Sequence, residues 1–360
     1  MSAPAAHVAG AFSFTTRKQA KMWFKNLQIY RLPTHWDMSA ERLDEQLAKK
    51  RFHPCGSQDM ESRGWVAPLP AAEEEGLVRV VGDQWLISLG LEHRLLPAAV
   101  VKQEAEERAE EMAEQQGYKL GRKQMKDLRE QVTQELLPRA FTRRRRMFAW
   151  IDPVNGWLVI DATSQARAED MLEVLRQTLD SFPLALLRTE RSPSSAMADW
   201  LAADEAPGGF TIDQDCELRS ISEDKATVRY ARHPLEGDEV KGHLEAGKLP
   251  TRLALTFDER VSFVLTEKLE IKRLDFLDVV RDQIEGDAED AAALFDAEFA
   301  LMTGELAHLL PAVVEALGGE LAGASGDGPL TTAGSVQAGG DQGTPATAGA
   351  GEAVPYDPPF

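Results

Sequence analysis

Between Met22 and Leu32 the chain reads MWFKNLQIYRL, β-branched and aromatic residues in partial alternation with polar ones, which predicts a strand. MSAERLDEQLAKKRF follows, with Leu43, Leu47 and Phe52 at roughly helical spacing and Ser39 placed to cap. LVRVVGDQWLISLGLEHRLLP holds two apolar stretches around Gly82-Asp83, a hairpin pattern. From Pro97 to Pro138 the period changes: two helices of about twenty residues are separated by QQGYKLG and bounded outside by proline. Their apolar stripes are thin, Val101, Ala105 and Met112 on the first, Met125, Leu128, Val132 and Leu136 on the second. Such stripes suit two helices packed mainly on each other, an antiparallel arm that would reach on the order of 30 Å.

RRRRMFAWIDPVNGWLVIDA then predicts a second hairpin, turning at the tight-turn dipeptide Asn155-Gly156. SQARAEDMLEVLRQTLDSF is an amphipathic helix with Ala168, Met171, Leu172, Val174, Leu175 and Leu179 on its buried side, and SAMADWLAADEA a shorter one. ATVRYARH, RLALTFDERVSFVLTE and LEIKRLDFL return to strands; Leu253, Leu255 and Phe257 share one face, as do Val261, Phe263 and Leu265. Residues 287–317 read as a helix with an acidic start suited to the helix dipole, bent or divided by Pro311. Beyond Gly318 the Gly-, Ala-, Thr- and Pro-rich composition predicts a disordered acidic tail.

Charge changes the picture by its distribution. The chain has 360 residues and a formal net charge of −19, yet from Asp282 to Phe360 there are fourteen acidic residues and no Lys or Arg. Gly117 to Arg146 holds ten basic residues against three acids. A basic zone in an acidic chain reopens nucleic acid as a partner that net charge would have excluded. The N-terminal twenty residues lack a secretory signal, no run approaches a membrane span, and Cys55 and Cys216 lie in no metal-ligand spacing. The expectation is a cytoplasmic protein without cofactor or metal.

Catalytic patterns are sparse: no phosphate-cradling glycine loop, paired metal histidines or nucleophile elbow occurs. HPCGSQD, with Cys55 between His53 and Asp59, is the best thiol-enzyme candidate, though a structural cysteine is the commoner reading. On a strand, Arg143 and Arg145 point one way and Arg144 and Arg146 the other. The run either grips a polyanion or meets solvent and acids.

Several stretches together resemble the recombination-associated RdgC family: MWFKNLQIYRL (22–32), FHPCGSQDMESRGWVAPL (52–69), LLPRAF (136–141), WIDPVNGWLVID (150–161), HLEAGK (243–248) and LMTGELAHLLPAVVEALGGE (301–320). The resemblance implies an α+β, elongated, multi-lobed subunit with antiparallel sheets and a projecting helical arm. Two subunits would close into a ring-shaped homodimer that binds single- and double-stranded DNA without sequence preference and restrains RecA-promoted recombination at the nucleoid. It places Phe141 at the ring-closing contact and Arg232 and His233, on a strand, near the second dimer contact. DNA-binding candidates are Lys102, Lys119, Arg122, Lys123, Lys126, Arg139 and Arg143 to Arg146. The expected organisation is a flexible extension (1–21), a central domain (22–96 and 139–180), the arm (97–138), a second α+β domain (181–317) and the tail (318–360). A protein-interaction scaffold built on the arm and acidic tail, with incidental DNA contact, is the alternative.

Overall fold

The computed structural model describes residues 22–33, 36–69, 76–223, 225–284 and 291–321. The N-terminal extension, the acidic run 285–290 and the chain beyond Leu321 lie outside the described residues. The strands are β1 (Leu27–Arg31), β2 (Glu61–Val66), β3 (Val78–Val81), β4 (Gln84–Leu95), β5 (Phe141–Asp152), β6 (Trp157–Asp161), β7 (Ala185–Leu186), β8 (Phe210–Ser220), β9 (Thr227–Tyr230), β10 (Lys248–Phe257), β11 (Val261–Thr266) and β12 (Ile271–Phe276). The helices are α1 (Ala40–Ala48), α2 (Ala98–Gln116), α3 (Arg122–Leu136), α4 (Gln165–Thr178), α5 (Pro193–Ala203), α6 (Asp238–Glu245), α7 (Asp278–Arg281) and α8 (Ala291–Ala316). The fold is α+β. Its strands form one sheet in the order β2-β4-β5-β6-β1-β12-β11-β10-β8-β9, with β3 beside β4 and β7 beside β1.

Alternation divides the apolar residues of this sheet between two faces. Leu27 and Ile29 of β1 join a core with Leu253, Leu255, Phe257, Val261, Phe263 and Leu265, closed by α5 and α8. Tyr30 and Leu32 join the other, with Leu43 and Leu47 of α1 and the apolar side of α4. Ser39 caps α1, its hydroxyl accepting from the Arg42 amide at 3.2 Å. α8 is long and apolar enough by composition to cross a membrane, contrary to the expectation that no segment is. Its apolar side, from Phe295 through Phe299, Met302 and Leu306 to Val313, is buried in the first core, as in the central helix of a packed body.

Other expectations are corrected by local chemistry. Only Leu27–Arg31 of the first stretch is strand; the Met22 amide and the Trp23 indole instead bond to the Glu298 carboxylate of α8. Pro311 does not divide α8; it sits on the exposed side, where water can take up the Ala307 carbonyl that it leaves without a donor. The β5–β6 connection is a four-residue loop, Pro153–Gly156, in which the Asp152 carboxylate accepts from the Val154 and Asn155 amides. Of the two turn residues only Gly156 has positive φ, at 71°, and a Cβ there would lie 2.6 Å from the Leu32 carbonyl oxygen. Of residues 318–321, expected to begin the tail, Gly319 and Leu321 are bonded to Glu190 and Arg188, and Glu320 pairs with Arg31 at 3.0 Å.

β4 and β5 are the longest strands, twelve residues each, and their antiparallel register runs from Trp85↔Ile151 to Leu95↔Phe141. α2 and α3 are inserted between them and share a small core of Ala105, Ala109, Leu128 and Val132. Ala109, not Met112, completes the α2 stripe: steps of four from Val101 keep small side chains on the facing side, leaving Met112 exposed.

Midway along β4, opposite Gly90, the loop around Phe52 crosses Gly64 of β2 so closely that a Cβ at Gly64 would lie 2.5 Å from the Phe52 Cα. Gly64→Ala is therefore expected to destabilise the chain by about 2 kcal/mol through overpacking, read as a lower denaturation midpoint in urea. An unchanged midpoint would mean that the Phe52 loop yields freely.

Candidate nucleic-acid interface

The first half of β5, FTRRRR, carries the candidate site, and the pleat sorts it. Phe141, Arg143 and Arg145 are exposed on one face; Phe141 is 83% exposed beside Leu95, itself 51% exposed. Neither Arg143 nor Arg145 has a carboxylate within ion-pairing distance among the described residues. On the opposite face Arg144 and Arg146 are half-buried and occupied. Arg144 Nε donates to Glu92 Oε1 at 2.8 Å, with its guanidinium near the Phe52 ring, and Arg146 Nη1 donates to the Pro68 carbonyl at 3.2 Å.

Glu92 is only 2% exposed, and its other carboxylate oxygen accepts from the Cys55 amide at 2.6 Å. Burial alone would push its carboxyl pKa up, but the Cys55 amide and Arg144 outweigh burial and hold it below the usual carboxylate range. The Cys55 thiol is pushed up, by burial first and then by Glu92, opposite to the activation that a nucleophilic thiol needs. Cys216 is buried and pushed up to about 12 by desolvation. Among the described residues no group of three or more His, Cys, Asp or Glu side chains is placed to hold a metal ion.

Neighbouring candidates divide between helix pair and sheet. Lys119, Arg122, Lys123 and Lys126 are exposed around the α2–α3 turn with no carboxylate in ion-pairing distance among the described residues, and Arg139 is exposed in the 3-10 turn just before Phe141. Lys102 lies on α2 and pairs with Glu106 at 3.7 Å, so it stands apart from that group. Arg108 ties the two helices, reaching Glu104 at 2.8 Å and Glu135 at 2.6 Å.

Arg232 and His233 are not on a strand: β9 ends at Tyr230, and both are exposed in the loop that follows. Arg232 takes positive φ, 52°, and its amide donates to Asp215 Oδ1 at 2.9 Å, which interrupts the ladder there, although the His233 amide still donates to the Gln214 carbonyl of β8 at 3.1 Å. β9 lies at one end of the strand order and β2, β4 and β5 at the other. Sequence reasoning passed over Glu92 and Arg94, although LGLEHRL carries the signal: charged residues spaced by two in an otherwise apolar strand.

A family model described as "Putative exonuclease, RdgC" matches residues 22–320. A Dechloromonas aromatica protein named recombination-associated protein RdgC is 58% identical over 304 residues, which is 83% of this chain and 99% of the relative. A protein of the same name from Herminiimonas arsenicoxydans is 52% identical over 301 residues, 84% and 99% of the two chains. Another from Burkholderia cenocepacia is 50% identical over 299 residues, 83% and 96%. The relatives' name places them in recombination, while the family description names a nuclease activity. With both the match over nearly all described residues and this identity, the chain belongs to the RdgC family.

Proposed function

We propose that this chain binds DNA through backbone phosphates without reading sequence, and that two copies close into a ring around the duplex and limit the access of RecA to it. The observation that carries this reading is the display on β5: one apolar ring, Phe141, and two arginines without carboxylate partners stand together on the open face. Phosphate contacts by such cations give affinity through counterion release, and enclosure slows departure. In this reading α2–α3 is a projecting arm whose turn lysines and arginines reach neighbouring phosphates. Phe141 closes one contact between subunits and the Arg232–His233 loop lies at the other. The basic zone faces the DNA, and such a protein would act at the nucleoid in the cytoplasm.

The test is a mobility-shift series on linear and covalently closed circular duplexes across salt. The expected result is a linear fall of log affinity with log salt, of slope about −0.9 per phosphate contacted, with longer retention on closed circles than on linear DNA at raised salt. Salt-independent binding would overturn phosphate recognition, and equal retention would overturn enclosure. Shortening of the linear DNA in the presence of Mg²⁺ would support the nuclease that the family description names. Protein partners retained after nuclease treatment, with no mobility shift, would favour a scaffold.

A further inference from the structure

The loop HPCGSQD is not used by the DNA-binding reading, yet it is bonded to the strand that displays Phe141. Arg94, two residues beyond Glu92 on the same face of β4, donates to four main-chain carbonyls. Nε reaches Asp59 O at 3.2 Å and Nη2 reaches Gly56 O at 2.9 Å, both in that loop. Nη1 reaches Leu137 O at 2.9 Å and Ala140 O at 3.3 Å, in the turn between α3 and Phe141. One guanidinium thus joins segments about eighty residues apart in sequence, adding a second donor to the Gly56 and Leu137 carbonyls, which already accept from the Asp59 and Ala140 amides, and bonding the Asp59 and Ala140 carbonyls beside them. Glu92 reinforces the same loop from the neighbouring rung, through the Cys55 amide.

This joint lies at the last rung of the β4–β5 ladder, Leu95↔Phe141, where a strand pair would otherwise fray. We propose that Arg94 is a positioning residue: with Glu92 it makes the Cys55–Asp59 loop a clasp on the hidden face of β5, and the clasp holds Phe141 outward in the pose that ring closure requires. The role of Phe141 in that statement rests on the function proposed above. The chemistry demands arginine. A planar fork with five donors serves four carbonyls at once, whereas a lysine ammonium keeps the charge but not the geometry.

Arg94→Lys in the full chain separates these contributions. Amide hydrogen exchange in residues 137–142 and 55–60 is expected to quicken about tenfold or more, with the thermal midpoint of the body nearly unchanged. The salt slope on linear duplex is expected to stay as in the wild type, because the charge is kept. Retention on closed circles is expected to fall to the level of Phe141→Ala, and the double variant is expected to be no worse than Phe141→Ala alone. Unchanged exchange would overturn the clasp. Quickened exchange with circle retention intact, or losses that add in the double variant, would overturn its link to Phe141. Arg94→Gln, which has only two donors on a shorter, uncharged side chain, gives a second exchange measurement and is expected to quicken exchange at least as much as lysine does; exchange as slow as in the wild type would overturn the clasp. If the wild type itself does not distinguish circles from linear DNA, the ring reading fails, and the exchange data alone decide the clasp.

Discussion

Replacing Glu92 with glutamine is expected to cost about 3 kcal/mol of folding stability at neutral pH, the usual penalty for breaking a buried charge pair from one side. The exchange is nearly isosteric, so the loss is one of bonding. Glutamine brings two N–H donors into a site whose neighbours, the Cys55 amide and the Arg144 guanidinium, are already donors. One of them must lose its acceptor in a place water scarcely reaches. The effect carries a pH signature. Because the folded carboxyl titrates below its unfolded value, its contribution is complete above the ordinary glutamate range near 4.3 and is lost as pH falls through the lower folded value. Urea denaturation of both proteins at neutral pH and in acid reads this directly. The gap between them is expected to close on acidification; a gap that widens would mean that the carboxylate is not the stabilising form.

Removing Arg143 and Arg145 together, each to alanine, is expected to leave stability nearly untouched and to weaken DNA binding on the order of a hundredfold at low salt, about tenfold for each charge-assisted contact. The slope of log affinity against log salt is expected to shrink by about two units, one for each phosphate lost. The informative comparison is Arg144→Ala with Arg146→Ala, which removes the same charge from the same strand. That pair is expected to lower the denaturation midpoint, because Glu92 loses its partner and the Pro68 carbonyl its donor, and to change the slope far less. Equal slopes for the two double variants would sink the assignment of faces.

Much of the architecture was legible because alternation and helical period are properties of short windows. The α4 side from Ala168 to Leu179 and the two inward rows of β10 and β11 follow directly from them. What escaped depended on partners distant in sequence. Period two separates Arg143 and Arg145 from Arg144 and Arg146, but Glu92 and the carbonyl of Pro68 decide which pair is free, and they lie over fifty residues upstream. Met112 has the better hydrophobic character, yet the close approach of α2 to α3 at Ala105 and Ala109 prefers small side chains there. The Arg232–His233 pair continues an apparent strand pattern in VRYARH, and only the Asp215 contact to the Arg232 amide, a partner seventeen residues upstream, shows where the regular ladder is interrupted. Pro311 reads as a breaker in one dimension; on the solvent side of a well-packed helix it is tolerated.

The two-sided use of β5 has a further consequence for how the segment can vary in length. A tract of identical arginines carries no phase of its own: slide it by one residue and arginines still face both ways. Phase comes from its flanks, from Met147, Ala149 and Ile151 in the core on one side and Phe141 on the other. Loss or gain of a single in-frame codon within the tract would leave a plausible basic strand while turning Phe141 inward onto Arg94. Loss or gain of two would keep every residue on its face. Length changes in this tract should therefore be tolerated in pairs, a parity rule invisible to any measure of overall charge.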